Sequence, residues 1–321
     1  MWFKNLQVYR FTKPFELSPE ELSAQLAERE FVACGSQDLS RYGWVPPLGH
    51  LGSDFVHAAG GYIMFCAKKQ DKVLPAAVIN EQLAEQVLTI QKKEGRGVGR
   101  KERQNLKEEL TFSLLPKAFT RSTLQFAYIS LKEGLLVVNS SSVNRAQELL
   151  DFLRDTIESV PVIPLTANNT PQHVMTQWLE SGVPPEGFEL GHECELRDPS
   201  DEGGLIRCKH QVLNNPDIIN HIKSGMYVNK LGLRSQAGIE FTIDSELAIK
   251  RLVFDDIIQE KANQVDAQDA AEQFDIDFSI MTLEISALIQ ALTNVFGGAK
   301  KPDADAVINV RTQTQSDVEM A

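Results

Sequence analysis

Seven basic residues crowd into one short stretch of this 321-residue chain: Lys92, Lys93, Arg96, Arg100, Lys101, Arg103 and Lys107, offset within it by Glu94 and Glu102 alone. Arg100, Arg103 and Lys107 recur at helical spacing, so a helix presents them on one face. Glycines at 95, 97 and 99 interrupt the stretch and Pro116 ends it, which predicts a helical hairpin over 80–115 with a glycine-rich tip. Such a tip can track a phosphate backbone, each contact releasing counterions. The plainer alternative is a solvated helix pair. Just beyond, Lys117, Phe119 and Arg121 alternate, and an extended segment would set all three on one side. Two cations flanking an aromatic suit a nucleic acid: the charges hold phosphates while the ring stacks on bases or wedges between them. The alternative is a core phenylalanine between surface cations.

Arg207, Lys209 and Gln211 likewise share one face of a strand expected over 205–211, as a second phosphate stripe or as the solvent face of an edge strand. Its other face carries Cys208 and His210, and the preceding expected strand, 188–197, carries His192 and Cys194. His-x-Cys opposite Cys-x-His is a possible zinc constellation. Buried thiols beside hydrogen-bonded histidines are the favoured reading.

Enzymatic signatures are weak. The run Gly95-Arg96-Gly97-Val98-Gly99-Arg100-Lys101 lacks the last glycine of the dinucleotide fingerprint and the Gly-Lys-Ser/Thr ending of a P-loop. There is no Gly-x-Ser-x-Gly and no His-Glu-x-x-His. Asp255, Asp256, Asp275, Asp277 and Glu284 could hold magnesium as a nuclease does, but no Glu-x-Lys accompanies them. Asp275 and Asp277 are expected at a helix start, where acidic residues stabilise the dipole. No catalytic residue, metal or cofactor is assigned.

The elements that must position these residues follow from pattern. Hydrophobic residues make up 42% and charged residues 24%, an ordinary globular composition that excludes wholesale disorder. With 32 Lys and Arg against 44 Asp and Glu, the formal charge is −12, unusual for a nucleic-acid binder unless the charge is unevenly distributed. No signal peptide is evident, and every apolar stretch is expected to fall short of the roughly 20 residues of a membrane helix. Four scattered cysteines read as cytosolic thiols.

Strands are expected at 6–12, 122–131, 135–139 and 160–165, and later near 227–233, 238–243 and 248–254. A hairpin is expected to turn at Lys69-Gln70-Asp71, and the Trp44-Val45-Pro46-Pro47 loop (35–49) is too rigid for a central strand. Helices are expected after Ser18 with a capping box to Glu21, after Asn80, after the serines at 140–142, after Thr170-Pro171, after Asn215-Pro216, and through Met281–Phe296 positions on one face. The fold class is α+β, with mixed sheets, packed helices and a protruding basic helical hairpin. The expected domains are 1–79 with 122–168 as a central α+β domain, 80–121 as a basic arm and tip, and 169–299 as a second α+β domain. Residues 300–321 form a disordered tail.

Several segments together resemble the bacterial recombination-associated RdgC family: Met1-Trp2-Phe3-Lys4-Asn5-Leu6, Cys34-Gly35-Ser36-Gln37-Asp38, Gly43-Trp44-Val45-Pro46-Pro47, Ser113-Leu114-Leu115-Pro116-Lys117-Ala118-Phe119, and Asp275-Ile276-Asp277-Phe278 onward to Ala291-Leu292. The resemblance implies a non-enzymatic, nucleoid-associated cytoplasmic protein. It implies a ring-shaped homodimer with a basic central hole, binding single- and double-stranded DNA without sequence preference and restraining the RecA recombinase. An acidic exterior and a basic lumen then coexist. The resemblance carries DNA contact onto Lys117, Phe119 and the His210-Gln211 segment; Arg121, Lys209 and the arm's cations are added from their pattern. Where relatives can carry a second lysine, this chain has His210, a weaker cation near neutral pH. The alternatives are a metal-dependent nucleic-acid enzyme using the clustered carboxylates and a protein-interaction scaffold.

Overall fold

A computed structural model describes residues 2–200, 203–263 and 267–300. The tail expected over 300–321 lies, apart from Lys300, outside the described residues. β1 (Asn5–Phe11) leads to α1 (Pro19–Ala27), whose start matches its capping box: Ser18 accepts from the Glu21 amide, and the Glu21 carboxylate accepts from that of Ser18. Against expectation, β2 (Ser40–Val45) runs through the rigid loop. Pro46 and Pro47 lie just past its end and cost it no ladder donor.

β3 (Val56–Ala59) and β4 (Tyr62–Val73) meet at Gly60 and Gly61, at φ 59° and 86°, the positive values a two-residue hairpin turn requires. The turn expected at Lys69-Gln70-Asp71 is absent. Those residues pair with Tyr42, Arg41 and Ser40 of β2, and the Ser40 hydroxyl donates to Asp71 at 2.8 Å. A neighbouring strand holds a turn-like triplet extended.

α2 (Ala76–Glu94) starts directly after Pro75, so Asn80 lies within it and caps nothing. Gly95 closes it at φ 63°, and α3 (Arg100–Leu114) packs against it. A 3-10 turn, Leu115–Lys117, follows around Pro116 before β5 (Phe119–Ser130). β6 (Leu135–Val138) returns across Gly134. α4 (Val143–Ile157), capped by Ser142, buries Ala146, Leu149, Leu150, Leu153 and Ile157, the face its spacing predicts. β7 (Val162–Pro164), α5 (Pro171–Ser181), β8 (Phe188–Arg197), β9 (Leu205–Lys209), α6 (Pro216–Lys223) and β10 (Tyr227–Ser235) come next. β11 (Ile239–Asp244), β12 (Ile249–Phe254), α7 (Asp256–Asn263) and α8 (Ala270–Val295) complete the chain.

Two compact units result. One holds the described residues of Met1–Glu16, Ala58–Ile63 and Ala127–Ala321; the other holds Leu17–His57 and Met64–Phe126. In the first, strands run in the order β6-β1-β12-β11-β10-β8-β9, each neighbour antiparallel, with β7 also on β1. The class is α+β as expected, with antiparallel sheet pairing.

By length and composition, α8 alone among the described helices could cross a membrane, which corrects the expectation that every apolar stretch is too short. Its Phe278, Met281, Ile285, Leu288, Ile289 and Leu292 are buried in the first unit. There Phe278 meets the Tyr128 ring, and the Phe3 amide donates to the Met281 sulfur.

β12 is irregular. Glu240 pairs with Val253 and Thr242 with Lys250, so Arg251 and Leu252 together oppose the single Phe241. At this bulge Arg251 adopts φ 55°, a left-handed backbone that costs a non-glycine residue roughly 1 kcal/mol or more.

Candidate nucleic-acid interface

The segment around Phe119 is built as a short projection. Leu115 is 1% exposed and anchors it, Pro116 restricts the backbone, and Ala118 turns the chain into extended conformation. Phe119 then opens β5 with 85% of its surface bare. Burying a phenylalanine side chain is worth about 1.5–3 kcal/mol, so this position forgoes nearly all of it. The core-phenylalanine reading is overturned. Phe119 and Arg121 share a strand face, but Lys117 belongs to the 3-10 turn; the alternation expected of three residues holds for two. Lys117 and Arg121 are exposed, and among the described residues neither has an ion-pair partner.

The arm's cations divide. Lys92 and Lys93 sit exposed in the last turn of α2, and Arg100, Arg103 and Lys107 fall on one face of α3 beside Lys101. Arg96 is committed elsewhere. Its guanidinium donates twice to Glu102 at 2.7 Å and once to Glu94 at 2.6 Å, clasping the glycine-rich tip. These bonds, from Glu102 first and Glu94 next, raise the Arg96 pKa, and the same contact lowers that of Glu102.

Lys209 ends β9, and His210 takes φ 54° immediately after it. The left-handed His210 ends the strand before Gln211, although the Gln211 amide still donates to the His192 carbonyl at 3.2 Å. The expected Arg207-Lys209-Gln211 stripe therefore shortens to its first two members. Lys209, His210 and Gln211 are all exposed.

Across β8, Glu193 faces Lys209 and Glu195 faces Arg207. Glu195 is buried and accepts from Lys230 at 2.9 Å, Arg207 at 2.9 Å and Asn229 at 2.8 Å. Burial works to raise its pKa, but those donors outweigh it and bring it down to about 2. Glu193 accepts from Thr242 and Arg251, which likewise overcome burial and lower its pKa. Lys250 pairs with Asp244 at 2.8 Å. Sequence spacing gave no signal for Lys230, Lys250 or Arg251, because β10 pairs with β8, and β12 joins the same sheet two strands further on, only through the tertiary fold.

Cys194 and Cys208 oppose one another on the buried side of β8 and β9. Burial, then the neighbouring Cys208, pushes the Cys194 thiol up to about 12. His192 and His210 are exposed, and among the described residues no three metal-ligand side chains converge. The carboxylates of the enzymatic alternative are dispersed in role. Asp255 accepts from Arg234 at 2.6 Å. Asp256 opens α7. Asp275 and Asp277 lie inside α8 and not at its start, where Asp269 is the actual cap.

Fold and site together define an α+β protein that presents cations around a bare aromatic ring. The sequence matches the family described as "Putative exonuclease, RdgC" over residues 1–299, and the chain belongs to the RdgC family. It is 44% identical over 301 residues to the recombination-associated protein RdgC of Aeromonas hydrophila, covering 94% of this chain and 99% of that one. The protein of the same name from Psychromonas ingrahamii is 45% identical over 298 residues, covering 93% and 99%. That from Proteus mirabilis is 42% identical over 298 residues with the same coverage.

Proposed function

We propose that this chain is a recombination-associated protein that binds double- and single-stranded DNA without sequence preference. The observation that carries the reading is Phe119, bare and flanked by Lys117 and Arg121, neither of which has an ion-pair partner among the described residues. A ring with no hydrogen-bonding edge stacks on any base, and two cations hold any phosphate. In this reading α2 and α3 form a protruding basic hairpin whose Lys92, Lys93, Arg100, Lys101, Arg103 and Lys107 follow the backbone. Two copies close a symmetric ring around DNA and antagonise RecA by occupying its track. The protein then works in the cytoplasm on the nucleoid, without cofactor.

Fluorescence anisotropy on a random-sequence duplex, titrated at several salt concentrations, tests it. Affinity that falls steeply with salt and is equal on a scrambled duplex supports the reading; no affinity at low salt overturns it. Lys117→Glu weakens all sequences alike, and selective weakening of a few would refute backbone contact.

We further propose that it acts by binding and not by cleavage. The family description raises the enzymatic alternative. A labelled duplex incubated with magnesium or manganese decides it, since cleavage lost in Asp255→Asn would establish a nuclease.

A further inference from the structure

All four cysteines are free thiols, and two of them are cross-strand partners. In the antiparallel pairing of β8 with β9, Cys194 stands directly opposite Cys208. By contrast Cys66 faces Val45 of β2, and the Cys34 thiol donates to the Gln70 carbonyl at 3.2 Å. Directly opposed residues send their side chains to the same face of a sheet, here the buried one, where Cys194 is 4% exposed and Cys208 is 9% exposed. Further along this ladder the Asp198 amide donates to the Gly204 carbonyl at 3.0 Å. Bonded and non-bonded pairs alternate in an antiparallel ladder, so Cys194 and Cys208 fall in register as a bonded pair. The Cα atoms of such a pair stand about 5.5 Å apart, inside the roughly 4.4–6.8 Å that a disulfide spans. The Cys208 side chain already bears on the Cys194 thiol by charge and by hydrogen bond.

The strand that a bridge here would hold is the one least held otherwise. β9 has five residues, stands at the end of the strand order and, among the described residues, pairs with β8 alone. A left-handed His210 ends its ladder. A short edge strand tied from one side is among the first parts of a sheet to open, and its outer backbone groups are free to pair with another chain.

We propose that Cys194 and Cys208 are a redox-active dithiol, which hydrogen peroxide converts to a cross-strand disulfide that latches β9 to the sheet. Cys208, on the outer strand, is oxidised first: its sulfur takes one oxygen from the peroxide, the O–O bond breaks, and one water leaves a sulfenic acid behind. The Cys194 sulfur then attacks that sulfur. The S–S bond forms, the S–O bond breaks, and the hydroxyl departs with the Cys194 proton as a second water. Two electrons pass from the two sulfurs to the peroxide, and a thiol reductant reverses the step by exchange. Burial, which pushes the Cys194 thiol up to about 12, keeps it inert to oxidant by itself and reserves it for the second step. The inference does not depend on the DNA-binding reading, since the bridge lies on the face of β9 opposite Arg207 and Lys209.

The full chain, treated with hydrogen peroxide and then with an alkylating agent, tests it. Peptide mapping without reductant finds Cys194 joined to Cys208. Melting rises by about 5 °C, because the bridge closes a loop of about 15 residues, and dithiothreitol restores the original value. Hydrogen exchange at the β9 amides slows about tenfold in the bridged form. Cys194→Ser and Cys208→Ser each abolish the rise, whereas Cys34→Ser keeps it; each variant is compared with itself before and after oxidant, so its own starting stability does not enter. If peroxide oxidises Cys34 but leaves Cys194 and Cys208 as thiols, or joins them only in urea, the folded strands do not admit the bridge and the proposal falls. Linkage of Cys208 to Cys34 or Cys66 overturns the pairing, and a bridge that changes neither melting nor β9 exchange overturns the latch.

Discussion

At the projection, Lys117 and Arg121 stand clear of any carboxylate among the described residues, whereas on the β8–β12 sheet Arg207, Lys230, Lys250 and Arg251 each lean on one. The two regions place positive charge at a surface in opposite ways. Unpaired cations exert their full attraction but leave their side chains free, so a ligand must bear the cost of ordering them. Paired cations attract less because a carboxylate sits behind each, yet they are held in direction before anything binds. The first arrangement suits capture at a distance and the second suits register along a backbone.

The largest expected effect that sharpens this contrast is at Phe119. Phe119→Ala lowers DNA affinity by about 2 kcal/mol, since base stacking on an aromatic is worth roughly 1–3 kcal/mol. The salt slope stays constant because the ring carries no charge, and a slope that falls would show the ring to position the cations instead. Thermal melting of the same variant is unchanged, the side chain being almost wholly bare.

Next comes Glu195→Gln, which removes the charge shared by Lys230 and Arg207 and costs roughly 1.5 kcal/mol in urea unfolding. The matching pH dependence has a definite sign. A carboxyl at about 2 in the folded chain and near 4.3 when unfolded contributes stability above pH of about 4.3 and loses it as pH falls toward 2. The variant lacks that acid-side decline, and an identical decline in both proteins would remove Glu195 from the account.

A smaller effect is due at Lys117→Gln, which weakens binding a few-fold and lowers the salt slope by about one. Smallest is Arg96→Ala. Because Arg96 is held by Glu94 and Glu102, its removal changes the salt slope less than removal of Arg103 does. Equal slopes would show that the clasp opens on DNA.

What could be read in advance was local. Ser18 and Glu21 lie three residues apart and need only each other to start a helix. Likewise, the buried side of α4 follows from helical spacing within fifteen residues. The projection was legible as composition, but its exposure was not: nothing in Lys117-Ala118-Phe119 shows which way a ring points. Features that depend on a neighbour were hidden. Gln70 and Asp71 stay extended because β2 lies beside them, and the Gln211 side chain leaves the stripe because His210 turns the backbone. The contact between Arg251 and Glu193 was least legible of all. Arg251 carries no glycine signature for its bulge, and its partner Glu193 is 58 positions away.

The place of β1 bears on how the chain reaches this state. It pairs with β6 on one side and with β12 and then β7 on the other, and its Asn5 side chain accepts from the Arg251 amide across 246 positions of sequence. A strand made early on the ribosome must therefore wait for one made late. Until then its edge toward β12, and the apolar Leu6 and Val8, stay open to the wrong partner. Closing so long a loop makes assembly slow and non-local, and the opening strand is the one left exposed longest.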